Sequence, residues 1–150
     1  MTRYEHLADL AALVGREIGV SDWITIEQSR IDAFAEATDD RQWIHVDAAR
    51  AAAGPFGATV AHGFLTLSLL PAMSASAFHV ADTHTGINYG LNRVRFPAPV
   101  RVGSRLRGHF VLDAFEPITG GAQMTVTCTM ELEGSDKPAC VAESLARRFA

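Results

Sequence analysis

The sharpest pattern in the chain lies in its second half. Across residues 123–132, Met124, Val126, Cys128, Met130 and Leu132 alternate with Thr125, Thr127, Thr129 and Glu131. That is the period of a strand with one apolar face and one threonine-rich face. Residues 86–96, 105–115 and 139–149 alternate less cleanly and also predict strands. Pro97 with Pro99, Gly120-Gly121 and the stretch from Gly134 to Pro138 supply turns. The first half follows a longer period. Leu7, Leu10, Ala11 and Val14 recur at helical spacing behind Thr2 and Glu5, with Gly15 where a helix would stop. Ile31, Phe34, Ala35 and Thr38 do the same behind Thr25 and Gln28. Both leading pairs have the spacing of a capping box. Asp47 predicts the cap of a short helix through Ala53, ended by Gly54-Pro55. Residues 63–78 lack a polar face and predict a helix buried on nearly all sides, kinked or broken at Pro71.

Helices followed by four or more antiparallel strands predict an α+β fold. The apolar helix must then lie against the concave face of the sheet. One helix cannot cover a sheet of this length, and a long strand edge stays bare. A second copy pairing edge to edge is the expected remedy, so the pattern predicts a homodimer.

Composition narrows the picture. With 150 residues, 48% of them apolar, the chain suits one core and a single domain over 1–150. The 13 Lys+Arg against 17 Asp+Glu give a net charge of −4, which argues against nucleic acid as a partner. Arg3, Glu5, His6 and Asp9 occupy the place where a signal peptide needs an apolar run. The stretch 64–78 is too short for a membrane span and carries Thr66, Ser68 and Pro71. Cys128 and Cys140 form no C-x-x-C pair. These features predict a cytoplasmic protein with reduced thiols and no membrane partner.

The candidate chemistry clusters between Asp39 and Gly63. Asp40 and His45 stand five apart with Trp43 and Ile44 between them. Brought together in a partly apolar pocket, they can hold one water, the imidazole moving a proton and the carboxylate accepting one or orienting the ring. A surface Asp beside a packed His is the plainer alternative. Gly63 at a helix start offers an open N–H to an oxygen that gains charge. His62 beside it reads as a packing or hydrogen-bonding residue. Asp40, His45 and His62 together imitate a two-His-one-carboxylate site, but their spacing matches no metal motif, and no metal is expected. Nucleophilic catalysis has no G-x-S-x-G elbow to support it. Arg93, Arg95 and Arg101 make a local basic patch, either an ordinary strand edge or a contact for the phosphates of an acyl carrier.

Residues 34–70, FAEATDDRQWIHVDAARAAAGPFGATVAHGFLTLSLL, resemble the MaoC-like dehydratase family, which includes the (R)-specific enoyl-CoA hydratases. The QWIHVD, GPFG and AHGFLTLSLL segments and the later NYGLNRVRFPAPVRVGSRLRG are most similar to the nodulation-protein-N-like branch. The resemblance implies a hotdog fold, a sheet wrapped around a long central helix with two subunits pairing their sheets. It implies Asp40 and His45 as the catalytic pair, Gly63 as backbone donor to a thioester carbonyl, an acyl-CoA substrate and no cofactor. Gln42, Trp43, His62, Ser68, Arg93 and Arg95 are then expected to contact substrate. The broader family core reads G-D-x-N-P-[LIV]-H; here Asp39 replaces Gly, Gln42 replaces Asn and Trp43 replaces Pro. The implied reaction is reversible, (R)-specific hydration of a trans-2-enoyl thioester. Three rivals stand beside it: a hotdog thioesterase, a dehydratase of carrier-protein-bound 3-hydroxyacyl chains, and a non-catalytic acyl-binding subunit. The thioesterase commonly needs an acid on the central helix, and residues 63–78 hold none.

Overall fold

The computed structural model describes all 150 residues. In chain order the elements are β1 (Thr2–Tyr4), a 3-10 helix (Leu7–Leu13), β2 (Glu17–Val20), β3 (Ile24–Thr25), α1 (Gln28–Thr38), α2 (Trp43–Val46) and α3 (Ala48–Ala52). They continue with α4 (Gly63–Ser68), α5 (Leu70–Ala77), β4 (Phe78–Val80), β5 (Thr85–Arg95), β6 (Arg105–Ile118), β7 (Gly121–Leu132) and β8 (Cys140–Phe149). The main sheet is antiparallel in the order β2-β6-β7-β8-β5, with β3 also paired to β6. It wraps the α4–α5 helix, which makes the fold a hotdog. No helix is long and apolar enough to cross a membrane.

The alternation in β7 is obeyed along its length: Ala122, Met124, Val126, Cys128 and Met130 are buried, and the threonines between them are not. The inward residues of β6, Leu106, Phe110 and Leu112, continue the same apolar floor. Met73 and Ala77 of α5 are fully buried on it. Two glycines let the helix approach so closely. A Cβ on Gly19 of β2 would come within 2.7 Å of the Ala77 carbonyl oxygen. One on Gly108 of β6 would lie 3.2 Å from the Met73 sulfur.

The central helix breaks at Leu69. Pro71 then falls in the first turn of α5, where its missing N–H leaves no bond unmade. The expectation that this helix is covered on nearly all sides is not met. Leu65, Thr66, Leu69, Met73 and Ala77 are buried, whereas Phe64, Ser68, Pro71, Ala72 and Ala75 are exposed. An apolar pattern records what a helix avoids, not which element covers it. The open side borders a cavity of about 720 Å³ between α5, β5 and β8.

Both expected capping boxes are corrected. Thr2 lies in β1 and Thr25 in β3, drawn into strand pairing with β4 and β6. The first helix is 3-10 and starts after His6, whose N–H donates to the Asp9 carboxylate at 3.2 Å. Helix α1 starts after Glu27 without a side-chain cap. The Asp47 cap is present, its carboxylate accepting the Arg50 N–H at 3.0 Å.

Candidate active site

Helix α1 ends at Asp39, which takes a left-handed conformation with φ of 61°. This is the position where the broader family pattern has glycine, the residue that adopts such a φ most freely. Asp39 also pairs with Arg41 at 2.8 Å across an exposed surface. The reversal brings Asp40 beside the single turn of α2, which carries His45. Gln28 clamps that turn from the start of α1. Its Nε2–H donates to the His45 carbonyl at 2.8 Å, and its Oε1 accepts the Thr59 hydroxyl. The His45 side chain is buried and its Nδ1 lies 2.6 Å from the Val60 carbonyl oxygen. A carbonyl can only accept, so Nδ1 carries the proton and Nε2 is left as the free base. Burial pushes the His45 pKa down, partly opposed by the hydrogen bond to Val60.

His62 completes the cluster. Polar side-chain atoms of Asp40, His45 and His62 lie within 4.8 Å of one another. One water can bridge such a spread with hydrogen bonds of about 2.8 Å on each side. The His62 ring stacks on His45 at 3.8 Å and 22°, with Phe34 against it at 4.9 Å. Its Nε2–H donates to the Asp40 carbonyl at 2.9 Å. Its Nδ1 is the one buried side-chain polar atom without a partner. Gly63 follows directly as the first residue of α4, and its N–H makes no backbone hydrogen bond. The Phe96 ring lies over it, 3.3 Å from where a Cβ would stand.

These three side chains are also the one group close enough to hold a metal ion. Nearly parallel stacked rings send their in-plane lone pairs side by side, not to one point about 2 Å from both. The arrangement therefore suits a shared water better than an ion. Neither cysteine offers a nucleophile: burial pushes the Cys128 thiol up to about 12 and Cys140 to about 11.

The other expected contact residues lie at the start of α2, on α4 and on β5. Gln42 is exposed ahead of α2, its N–H 3.4 Å from the Asp40 carboxylate. Trp43 is half-buried, with Gly54 against its ring and the Arg50 guanidinium 4.3 Å from its centre. Ser68 donates to the Phe64 carbonyl at 2.6 Å and lines the cavity along the helix. Arg93 and Arg95 are exposed on β5, and Arg95 donates to the Val94 carbonyl. Arg95 immediately precedes Phe96, whose ring lies over Gly63. His62, 22 residues from Asp40, has the hydrogen-bonding and packing part expected of it; what sequence spacing missed is that its partners are Asp40 and His45. Its one local signal is adjacency to Gly63.

The fold is thus a hotdog sheet around a central helix, with Asp40, His45 and His62 gathered beside the start of that helix. The chain belongs to the MaoC-like domain family, which matches residues 9–133. It is 56% identical to 3-hydroxyacyl-thioester dehydratase Z of Mycobacterium tuberculosis over 151 aligned positions, covering 100% of both chains. It is 51% identical to nodulation protein N of Rhizobium leguminosarum bv. viciae, covering 91% of this chain and 86% of that one. Among solved structures, the MaoC-like dehydratase from Rhodospirillum rubrum shares the fold with a TM-score of 0.78 at 24% identity, covering 96% of each chain. The (R)-hydratase PhaJ1 from Pseudomonas aeruginosa does so at 0.70 and 24% identity, covering 91% of this chain and 81% of that one.

Proposed function

We propose that the chain catalyses reversible, (R)-specific hydration of trans-2-enoyl-CoA to (R)-3-hydroxyacyl-CoA, with one water held by Asp40 and His45. At the coarser level it is a hydro-lyase acting on 3-hydroxyacyl thioesters, which the full-length 56% identity to the mycobacterial dehydratase supports. The observation that carries the finer reading is the cluster itself, three polar side chains within 4.8 Å beside the free N–H of Gly63.

In the hydration direction, His45 Nε2 takes a proton from water as its oxygen attacks C3. The Asp40 carboxylate orients the water and accepts its second hydrogen bond. Electrons of the C2–C3 double bond move toward the thioester, whose oxygen gains negative charge against the Gly63 N–H. A donor so placed is typically worth about 3–4 kcal/mol in the transition state. The proton on His45 then passes to C2, which restores the free base. Dehydration runs the same steps backward. Every group in this sequence belongs to the chain, the substrate or the water.

The working unit is a homodimer in this reading. Strand β5 ends the sheet with an unpaired edge, and Ile87, Tyr89, Leu91 and Phe96 are exposed on or beside it. Phe64 of the central helix is 70% exposed, a large apolar side chain that a second copy would cover. The test of the reaction is loss of enoyl-thioester absorbance with free thiol followed in parallel and the product resolved on a chiral column. The expected outcome is (R)-3-hydroxyacyl-CoA with no thiol release. Thiol release without a hydroxyacyl product would assign a thioesterase, and an (S) product would overturn the stereochemical assignment.

A further inference from the structure

The cavity along the central helix changes character from one end to the other. At the α4–α5 junction it is walled by Leu67, Leu70 and Pro71 of the helices, and by Leu91 of β5. Its far end is basic, with Arg148 from the inner face of β8, His79 of β4 and His84 just before β5. None of the 19 lining residues is a carboxylate, although the chain as a whole carries a charge of −4. Two acids close to this end in sequence or strand register are paired: Glu5 with Arg3 at 2.8 Å and Asp82 with His6 at 3.3 Å.

Arg148 is the cation that this end leaves without a partner. Its guanidinium sits over the Phe78 ring, 5.0 Å from the centre. Burial lowers its pKa, and no carboxylate or hydrogen bond pulls it back. Arg148 is one of the residues that line the cavity. A half-buried, unpaired guanidinium is costly, and its fork of donors fits a carboxylate or a phosphate. Distance bears on which substrate group could arrive there. From Gly63 to Ala77 the central helix spans about 20 Å at ~1.5 Å per residue, and Arg148 touches Phe78 just beyond it.

We propose that this cavity is an anion subsite, in which Arg148 binds an oxyanion carried at the far end of a long acyl-thioester substrate. The proposal rests on the acyl-thioester reading of the catalytic cluster. Two parts of such a substrate carry the required chemistry: the phosphates of the carrier arm, or a carboxylate at the distal end of the acyl chain. The apolar walls from Leu67 and Leu70 to Phe78 suit the part of the chain that precedes the anion.

Calorimetric titration of saturated, unreactive probes tests binding without turnover. The probes are coenzyme A, a long acyl N-acetylcysteamine thioester ending in methyl, and the same thioester ending in carboxylate. Arg148→Met should raise the Kd of one anionic probe roughly 10- to 100-fold, Arg148→Lys should keep most of the affinity, and the methyl-ended probe should be indifferent. Loss confined to coenzyme A assigns the carrier phosphates; loss confined to the carboxylate-ended thioester assigns the distal acid. The proposal is overturned if the wild type binds neither anionic probe, or if Arg148→Met leaves both unchanged or weakens all three alike. It is also overturned if that variant instead separates the subunits, since the anion would then be a carboxylate of the second copy. Hydration of enoyl-CoA, measured separately, keeps the readings apart: an intact anion effect without hydration removes the reaction and leaves the subsite.

Discussion

The imidazole of His45 is held with its Nδ1 proton committed to Val60 and its ring stacked on His62. Burial lowers its pKa, so at acid pH the folded state binds fewer protons than the unfolded chain. This contribution to stability is complete above the unfolded value of about 6.5. It is lost progressively as pH falls through that value toward the lower folded one. Urea unfolding between mildly acid and neutral pH should show this decline, and His45→Gln should flatten it. The acid limb of kcat/KM should fall below 6.5 for the same reason, because protonated His45 cannot act as base. His62 has a different part. It fixes the Asp40 backbone with one nitrogen and the His45 ring with its face. His62→Phe preserves the stacking and loses the bond to Asp40. It should fold and lose roughly ten- to a hundredfold in kcat through misplacement alone. A loss as complete as that of His45→Gln, at all pH values, would mean that His62 itself moves a proton.

Among the elements, the seating of α5 on β2 and β6 depends on two glycines whose surroundings differ. At Gly19 a methyl group meets the backbone of Ala77; at Gly108 it meets the tips of Phe110, Cys128 and Met73. Backbone cannot step aside as a methionine can. Gly19→Ala should therefore destabilise by about 1–3 kcal/mol, and Gly108→Ala by less, with thermal unfolding reporting the order. The reverse order would place the tight contact on β6. The strands were legible because their period is local: β7 alternates in sequence as it does in burial. The Asp47 cap was legible for the same reason, as was a break in the central helix, which falls at Leu69, two residues before Pro71. The pairing of β1 with β4 was not, since each has three residues and gains its extended form only from a partner 76 positions away. That pairing also took Thr2 out of its expected cap, as β6 took Thr25. The spacing of Asp40 and His45 was visible in the sequence, but the Gln28 and Val60 bonds that hold the His45 turn join distant segments and leave no local trace.

For the whole molecule, the decisive feature is the free edge of β5 and the open side of the central helix beside it. An edge strand with Ile87, Tyr89 and Leu91 exposed invites pairing with another strand. A second copy placed there would extend the sheet and cover Phe64. Sedimentation of the wild type should give twice the single-chain mass. Ile87→Lys combined with Leu91→Lys should shift it toward the single-chain mass while circular dichroism keeps the sheet signal. A wild type that sediments and turns over as a single chain would remove the dimer from the account.

The central claim is that Asp40 and His45 act together on one water. A double-mutant cycle on kcat/KM for enoyl-CoA hydration tests it most directly, using Asp40→Asn, His45→Gln and the combined variant. Each single change should cost at least about a hundredfold, and the double variant should be little worse than either alone, because the shared water is lost once. Losses that multiply would contradict the account, since the two residues would then be doing separate jobs.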